Sequence, residues 1–396
     1  MDLNVGIGDA LGTDYFSLRE QLTPMQLDYL ARTREFVEAE VLPVINGYWE
    51  RAEFPWPLVE KMAGLSIVGD GIEGYGCPPM DPLSTGLVHM ELNRADGSLG
   101  TFLGVQAGLA MQSIARCGSE EQKQRWLPPM ARLEKIGAFA LTEPEHGSDS
   151  IALATTARRD GDSYVIDGVK KWIGNGSIAE VVVVWARDTE DRQVKGFLVE
   201  RGTSGFQARV IGGKASLRAV WQAEISLDSV RVPAENKLPG ANTFKDCAGV
   251  LVTTRSTCAW SALGHAVAGF DAALSYAKRR RQFGKPLTSF QIIQQRLVRM
   301  LADVTAMQLY CLQTARLAET GRLAPTLAGL AKLHNTTKAR QVLADARDLL
   351  GGNGILLDFH VIRHMADIEA IHTFEGTETI QTLIVGRDIT GVSAFA

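Results

Sequence analysis

Little in this sequence is present in excess, and several classes of protein drop out on that ground. Cysteine is scarce: Cys77, Cys117, Cys247, Cys258 and Cys311 are the five thiols, and none forms a C-x-x-C pair. A disulfide framework is therefore not expected, and idle thiols in a reducing compartment are. Neither sign of charge dominates. Lys and Arg number 41 against 45 Asp and Glu, a formal net charge of −4. Such a balance leaves no electrostatic footprint for nucleic acid and no polybasic membrane patch. No stretch reaches the roughly 18 apolar residues of a membrane span. The opening MDLNVGIGDALGTDYFSLREQ has neither a signal-peptide nor a transit-peptide pattern. The closing Ser393-Ala394-Phe395-Ala396 is not a peroxisomal address. A cytoplasmic location is the expectation by default. G-x-S-x-G, Walker A and strand-linked G-x-G-x-x-G motifs are missing. His360 and His364 stand at i, i+4 without a third ligand at the expected spacing, so no metal is expected.

What is present is an ordinary globular composition, 45% hydrophobic and 22% charged over 396 residues. That length fits two or three coupled modules. From about residue 24 to 132 the pattern is helical, with Leu27, Leu30, Ala31, Phe36 and Val37 recurring near the helical period. Ser119 with Gln122 has the spacing of a capping box. Short strands follow from about residue 137 to 239. Residues 164–166 and 169–172 flank Asp167-Gly168, a hairpin signal, and residues 181–185, 196–199 and 223–227 read as further strands. Beyond residue 240 the helical period returns. Phe290, Ile293, Leu297, Met300, Val304, Met307 and Cys311 form one apolar stripe, the mark of a core-facing helix. The expected architecture is mainly α with a central β-module: an N-terminal α-helical domain (1–135), a middle β-domain (136–240) and a C-terminal α-helical bundle (241–396). A β-module between helical modules leaves clefts at its borders, where a flat cofactor fits.

Five segments carry chemistry, and each has a bland alternative. Residues 140–149 (ALTEPEHGSD) combine Thr142 and Ser148 hydroxyls with Gly147, which lets a ligand approach the backbone; a turn-rich connection reads equally well. Residues 171–176 (KWIGNG) can lay Trp172 against a planar ring, or cap the β-core with it. The basic run at residues 280–286 (RRQFGKP), with Gln291 beyond, suits a phosphate or is simply a solvated charge run. Residues 348–355 (DLLGGNGI) allow close backbone approach or end a helix. Residues 371–377 (IHTFEGT) set Glu375 among apolar neighbours. Desolvation there would raise its pKa towards that of a useful base, although a helix-capping role is open too.

The order and spacing of the five are less common than any one. Together they resemble the acyl-CoA dehydrogenase family across roughly residues 20 to 393. The loop at residues 141–149 matches one family signature except at His146, and the run from Gly351 to Asp367, with Asp358 and Arg363, matches another. The resemblance implies a helical domain, a β-domain and a C-terminal four-helix bundle, in a homotetramer with FAD between subunits. It places Phe139, Leu141, Thr142, Gly147 and Ser148 along the flavin or its pyrophosphate, and Trp172, Ile173 and Gly174 beside the isoalloxazine ring. Arg280, Phe283, Gln291 and the segment Asp348, Leu349, Leu350, Gly351 and Gly352 would reach FAD across a subunit interface. Thr377 would touch the adenosine side. Ser148, Arg255, Gly100, Gly104 and Gly376 would serve the acyl-CoA substrate. Glu375 falls on the family's catalytic glutamate, which removes the α proton while flavin N5 accepts a hydride from the β carbon. The product is a trans-2-enoyl-CoA, and an electron-transfer flavoprotein takes the electrons.

Within the family, residues 348–355, 360–364 and 389–391 resemble the glutaryl-CoA dehydrogenase branch. That branch holds a distal carboxylate with an Arg and a Ser. Aligned on Arg94-Ala95-Asp96, those positions are Gly100 and Gly104, which leave room for an uncharged acyl chain instead. Gly174 stands where many members carry a Thr or Ser whose hydroxyl reaches flavin N5. Residues 172–175 and 100–102 also resemble plant peroxisomal short-chain acyl-CoA oxidases, so oxygen is an alternative acceptor. A non-catalytic, DNA-associated member would carry extra basic surface and need not keep Glu375; a nitroalkane oxidase would carry Asp as its base.

Overall fold

The computed structural model describes residues 16–395, the side chain of Arg19 excepted. Most of the opening stretch read for targeting signals, and Ala396, lie outside them. The N-terminal layer is helical: α1 (Pro24–Phe36), α2 (Ile45–Arg51), α3 (Trp56–Ala63), α4 (Pro82–Ala95), α5 (Gly97–Leu103), α6 (Gln112–Cys117) and α7 (Glu120–Ala131). Between α5 and α6 the helix widens into a π-helical turn, Gly104–Met111. Local chemistry sets the starts of these helices. Thr23 and Gln26 close a reciprocal capping box on α1, and Ser119 and Gln122 close the expected one on α7.

A seven-stranded sheet follows, built from β1 (Gly137–Ala140), β2 (Thr156–Asp160), β3 (Ser163–Gly174), β4 (Val181–Asp188), β5 (Val194–Glu200), β6 (Phe206–Val210) and β7 (Gln222–Pro233). β4 is its spine. β5 runs antiparallel along one edge of β4, while β1 and β2 share the other edge in parallel. β2, β3, β7 and β6 continue the sheet antiparallel. Residues 181–185 are buried on both faces, as a continuous valine run requires.

The expected hairpin at Asp167-Gly168 is not there. β3 runs straight through it with a register shift against β7. The hairpin turn comes earlier, at Gly161-Asp162: Asp160 faces Ser163, with Gly161 at φ 60°. Gly at the first of two loop positions with φ positive is the chemistry of a tight hairpin turn. Gly168 has φ 154°, and a Cβ there would overlap Thr155, so this glycine serves a bulge.

The chain then returns to helices: α8 (Phe244–Arg279), a hairpin of β8 (Arg281–Gln282) and β9 (Lys285–Pro286), α9 (Gln291–Glu319), α10 (Pro325–Leu349), α11 (Val361–Thr373) and α12 (Glu378–Thr390). Leu297, Met300, Val304, Met307 and Cys311 of the predicted stripe are buried against α8 and α10. Among the described residues, no helix is long and apolar enough to cross a membrane.

A buried polar knot locks the three layers together. Arg363 of α11 donates to Asp96 at 2.5 Å and to Asn46 at 3.1 Å, and both Arg363 and Asp96 are sealed from solvent. Asp96 also caps α5 through the Ser98 amide at 2.7 Å. One turn along α11, Asp367 accepts from Trp49 Nε1 at 2.9 Å and from the Leu217 amide at 2.6 Å. Burial and the nearby Asp96 charge push the Asp367 carboxyl up to about 7. Removing Arg363 would strand Asp96 as an unpaired buried charge. Arg363→Met is expected to cost about 3–5 kcal/mol, read as a fall in the urea midpoint of the purified protein. An unchanged midpoint would mean that the knot does not hold the layers.

Candidate active site

Glu375 lies in the short link between α11 and α12. Its φ is +57°, a left-handed conformation that costs a non-glycine residue energy and persists only when the surroundings impose it. Those surroundings come from distant helices. Lys332 of α10, 1% exposed, donates to the carbonyls of His372 at 3.0 Å and Phe374 at 2.7 Å, and to that of Gly376. Gln381 of α12 donates to the Glu375 carbonyl at 2.9 Å, and Arg255 Nε to the same oxygen at 3.4 Å. The link is thus fixed by its backbone, and among the described residues the carboxylate has one hydrogen-bond partner, the Thr254 hydroxyl at 2.8 Å from Oε2. Burial raises the Glu375 pKa; Thr254, Arg255 and Lys332 oppose it only in part. A half-buried carboxylate with a raised pKa and one hydrogen bond can take a proton from a bound ligand. Thr377, next but one, uses its hydroxyl to cap α12, accepting from the Ile380 amide at 3.3 Å.

The π-helical turn passes in front of this carboxylate. A Cβ placed on Gly108 would lie 3.2 Å from Thr254 Cγ2, so Gly108 abuts the residue that holds Glu375. A Cβ on Gly104 would meet one atom within 4 Å, His89 Cε1 at 3.8 Å, and otherwise open space. Gly104 therefore leaves room beside His89. Gly100 does not: a Cβ there would overlap the Asn93 side chain, which α4 anchors through His89 O at 2.8 Å and Ser261 Oγ at 3.0 Å. The expectation that Gly100 opens the acyl cavity is corrected accordingly; its missing side chain accommodates Asn93.

On the other side of the turn stands the edge of the β-layer. Gly174 abuts Val105, whose Cγ2 would lie 2.7 Å from a Cβ at that position. Val105 thus fills the space a Thr or Ser side chain would need. Trp172 has φ 62° and Asn175 φ 62°, two left-handed non-glycine residues within four positions. Trp172 is 54% exposed, an indole presented to solvent, while Ile173 is buried beneath it. The loop at residues 141–149 lies alongside, tied back by the Lys171 amide to Thr142 O at 2.9 Å and by buried Lys170 to Leu141 O at 3.0 Å. Burial alone would raise the Glu143 carboxyl, but Lys170 and the Ala154 and Thr155 amides bring it to about 2, so it anchors the loop. Phe139 and Leu141 are buried, whereas Gly147 and Ser148 are exposed. Among the described residues neither the Thr142 nor the Ser148 hydroxyl has a hydrogen-bond partner.

The remaining predicted residues are elsewhere. Arg280 closes the far end of α8; 25 residues from Arg255 at 1.5 Å each is roughly 38 Å. Phe283, 92% exposed, tips the β8–β9 hairpin, and exposed Gln291 opens α9. Asp348, Gly351 and Gly352 are exposed at the end of α10, with Asp348 paired to Arg296, while Leu349 and Leu350 turn inward. One chain therefore brings together Glu375, Gly376 and Arg255, with Thr254 against the Gly108 end of the turn, and sets Arg280, Phe283, Gln291 and residues 348–352 at a second, distant surface. Among the described residues no cluster of His, Cys, Asp and Glu could hold a metal ion.

Models of the acyl-CoA dehydrogenase N-terminal, middle and C-terminal domains match residues 23–134, 138–230 and 244–390 in that order. The chain belongs to the acyl-CoA dehydrogenase family. The mitochondrial short-chain specific acyl-CoA dehydrogenase of Bos taurus is 35% identical over 361 residues, 89% of this chain and 87% of that one. A crystal structure of glutaryl-CoA dehydrogenase from Mycobacterium smegmatis matches with a TM-score of 0.94 at 38% identity, covering 99% of this chain and all of the other. A second, of the same kind of enzyme in complex with FADH2, matches with a TM-score of 0.94 at 37% identity, covering 96% and 98%. Acyl-CoA dehydrogenases are FAD oxidoreductases, and the residues here fit that cofactor. The exposed Trp172 indole offers a face for a planar ring, and the unpaired Thr142 and Ser148 hydroxyls offer hydrogen bonds beside it. Three residues that fix Glu375, namely Thr254, Lys332 and Gln381, were not marked by the sequence. Thr254 adjoins Arg255, which was; Lys332 and Gln381 carry no local signal.

Proposed function

We propose that Glu375 removes the α proton of an acyl-CoA thioester, and that the chain thereby forms a trans-2-enoyl-CoA. The raised pKa of a carboxylate held by Thr254 and facing the Gly104–Gly108 turn carries this reading. Bound FAD would supply the hydride acceptor, with Trp172, Thr142 and Ser148 holding its flavin end. The amide N–H of Glu375 belongs to a link that Lys332 and Gln381 keep rigid, which suits it to polarise the thioester carbonyl. Arg255 serves the CoA side. The distant surface of Arg280, Phe283, Gln291 and residues 348–352 would meet FAD bound to another subunit, so the active unit on this reading is a homotetramer. The five unpaired thiols suit a cytoplasmic setting.

Anaerobic titration of the flavin with a panel of acyl-CoAs tests the reading. Bleaching by uncharged acyl chains is expected, with no carbon dioxide released from glutaryl-CoA, because no guanidinium stands at position 100 to hold a distal carboxylate. Reoxidation is expected to be faster with an electron-transfer flavoprotein than with oxygen. Absence of bleaching by every acyl-CoA would refute the assignment.

A further inference from the structure

The wall of the cleft carries a polar pair that neither proton transfer nor flavin binding explains. His89 of α4 and Asp70, in the loop after α3, face each other, with His89 Nε2 3.2 Å from Asp70 Oδ2 and 3.4 Å from Oδ1. Their side chains are 2% and 1% exposed. Asp70 keeps φ at 44°, a left-handed conformation imposed by its surroundings, and its carbonyl accepts from Gln112 Nε2 at 2.9 Å.

The pair borders the same turn as Glu375. The Cβ position of Gly108 that lies 3.2 Å from Thr254 Cγ2 also lies 3.2 Å from Asp70 Oδ2. Four residues earlier, the open space beside Gly104 is bounded by His89 Cε1. That carbon is bonded to both ring nitrogens. Nε2 is engaged by Asp70, and among the described residues Nδ1 has no hydrogen-bond partner. A ring nitrogen without a protein partner, on a side chain only 2% exposed, thus edges the space into which Gly104 opens. A ring nitrogen in the wall of a purely alkyl cavity would lose its water and stay unpaired once an alkyl ligand filled the space.

We propose that His89 and Asp70 recognise the far end of the acyl chain, and that the preferred thioester carries a hydroxyl a few carbons beyond its β carbon. The proposal rests on the acyl-CoA dehydrogenation put forward above. Asp70 can only accept, so His89 Nε2 carries the proton and Nδ1 is left as an acceptor, to which a hydroxyl donates. A carboxylate would face Asp70 with no guanidinium from position 100 to offset the repulsion. An alkyl terminus leaves Nδ1 unpaired.

The test uses the FAD-loaded enzyme under anaerobic conditions. Terminally hydroxylated acyl-CoAs of four to six carbons are compared with alkyl acyl-CoAs of equal heavy-atom count, and with glutaryl-CoA, by the rate of flavin bleaching at sub-saturating substrate. At least one hydroxylated chain is expected to exceed its alkyl counterpart by about 10–100-fold. His89→Leu is expected to reverse that preference, and Asp70→Asn to weaken it. Flavin content and circular dichroism check the folding of each variant, and the near-isosteric Asp70→Asn decides the matter if His89→Leu folds poorly. Preference for alkyl chains or glutaryl-CoA in the unsubstituted enzyme would overturn the proposal and leave the dehydrogenase reading intact. So would an unchanged hydroxyl-to-alkyl ratio in both variants, which would make the pair structural. No bleaching by any acyl-CoA would overturn both.

Discussion

Glu375→Gln is expected to bind FAD like the unsubstituted protein and to lose acyl-CoA bleaching of the flavin by about 10²–10⁴-fold, the usual contribution of a positioned general base. The substitution is nearly isosteric. The amide oxygen can still accept from Thr254, the backbone contacts to Lys332 and Gln381 stay, and the left-handed φ is no harder for Gln than for Glu. Only the ability to take a proton goes. The pH profile makes the test sharper. A base works when deprotonated, so activity is present above its pKa and fades as pH falls through it. Burial raises the Glu375 pKa above the ordinary 4.5, so the acid limb of the bleaching rate should begin at higher pH than an exposed glutamate would give. Glu375→Gln should abolish that limb with the rate. Anaerobic stopped-flow mixing with an acyl-CoA reads both, and normal bleaching by the variant would remove Glu375 from the mechanism.

The parts of this site that were legible in the sequence are those written in local chemistry. A capping box needs residues three apart, so Ser119 and Gln122 announced α7. A core stripe needs one helical period, so the run ending at Cys311 announced α9. Glu375 was visible only through the order of distant motifs, since its own neighbours fit a cap as well. The rest depends on contacts across the fold. Asp167-Gly168 reads as a turn, but β3 runs through it and Gly168 packs against Thr155. Gly100 reads as space in a cavity, but the Asn93 side chain fills it. Val105 opposite Gly174 is the same lesson with the opposite gain, because it explains why the missing hydroxyl leaves no hole. The second surface, around Arg280 and Phe283, cannot be joined to Glu375 within one chain, since the length of α8 separates them.

Lys332 is expected to act as a positioning residue, and Lys332→Met should separate that role from simple support of the fold. Its ammonium is buried and donates to three carbonyls on either side of Glu375. These are the orphan acceptors that close α11 and open the left-handed link, and no water-facing route replaces the donor. Leaving each unsatisfied costs about 1–3 kcal/mol, which exceeds what holding one residue at positive φ requires. The link should therefore relax, carrying the Glu375 carboxylate away from Thr254. A fall in kcat of about 10–100-fold is expected, since misplacement of a reacting group by even 1 Å costs on that order. FAD content should stay near normal, because Lys332 touches none of the residues on the flavin side. The deciding readout is the pH limb. Lys332 is one of the charges that hold the Glu375 pKa down against burial, so removing it should move the acid limb of the bleaching rate to still higher pH. A merely structural lysine would lower the melting temperature and the active fraction and leave that limb where it was.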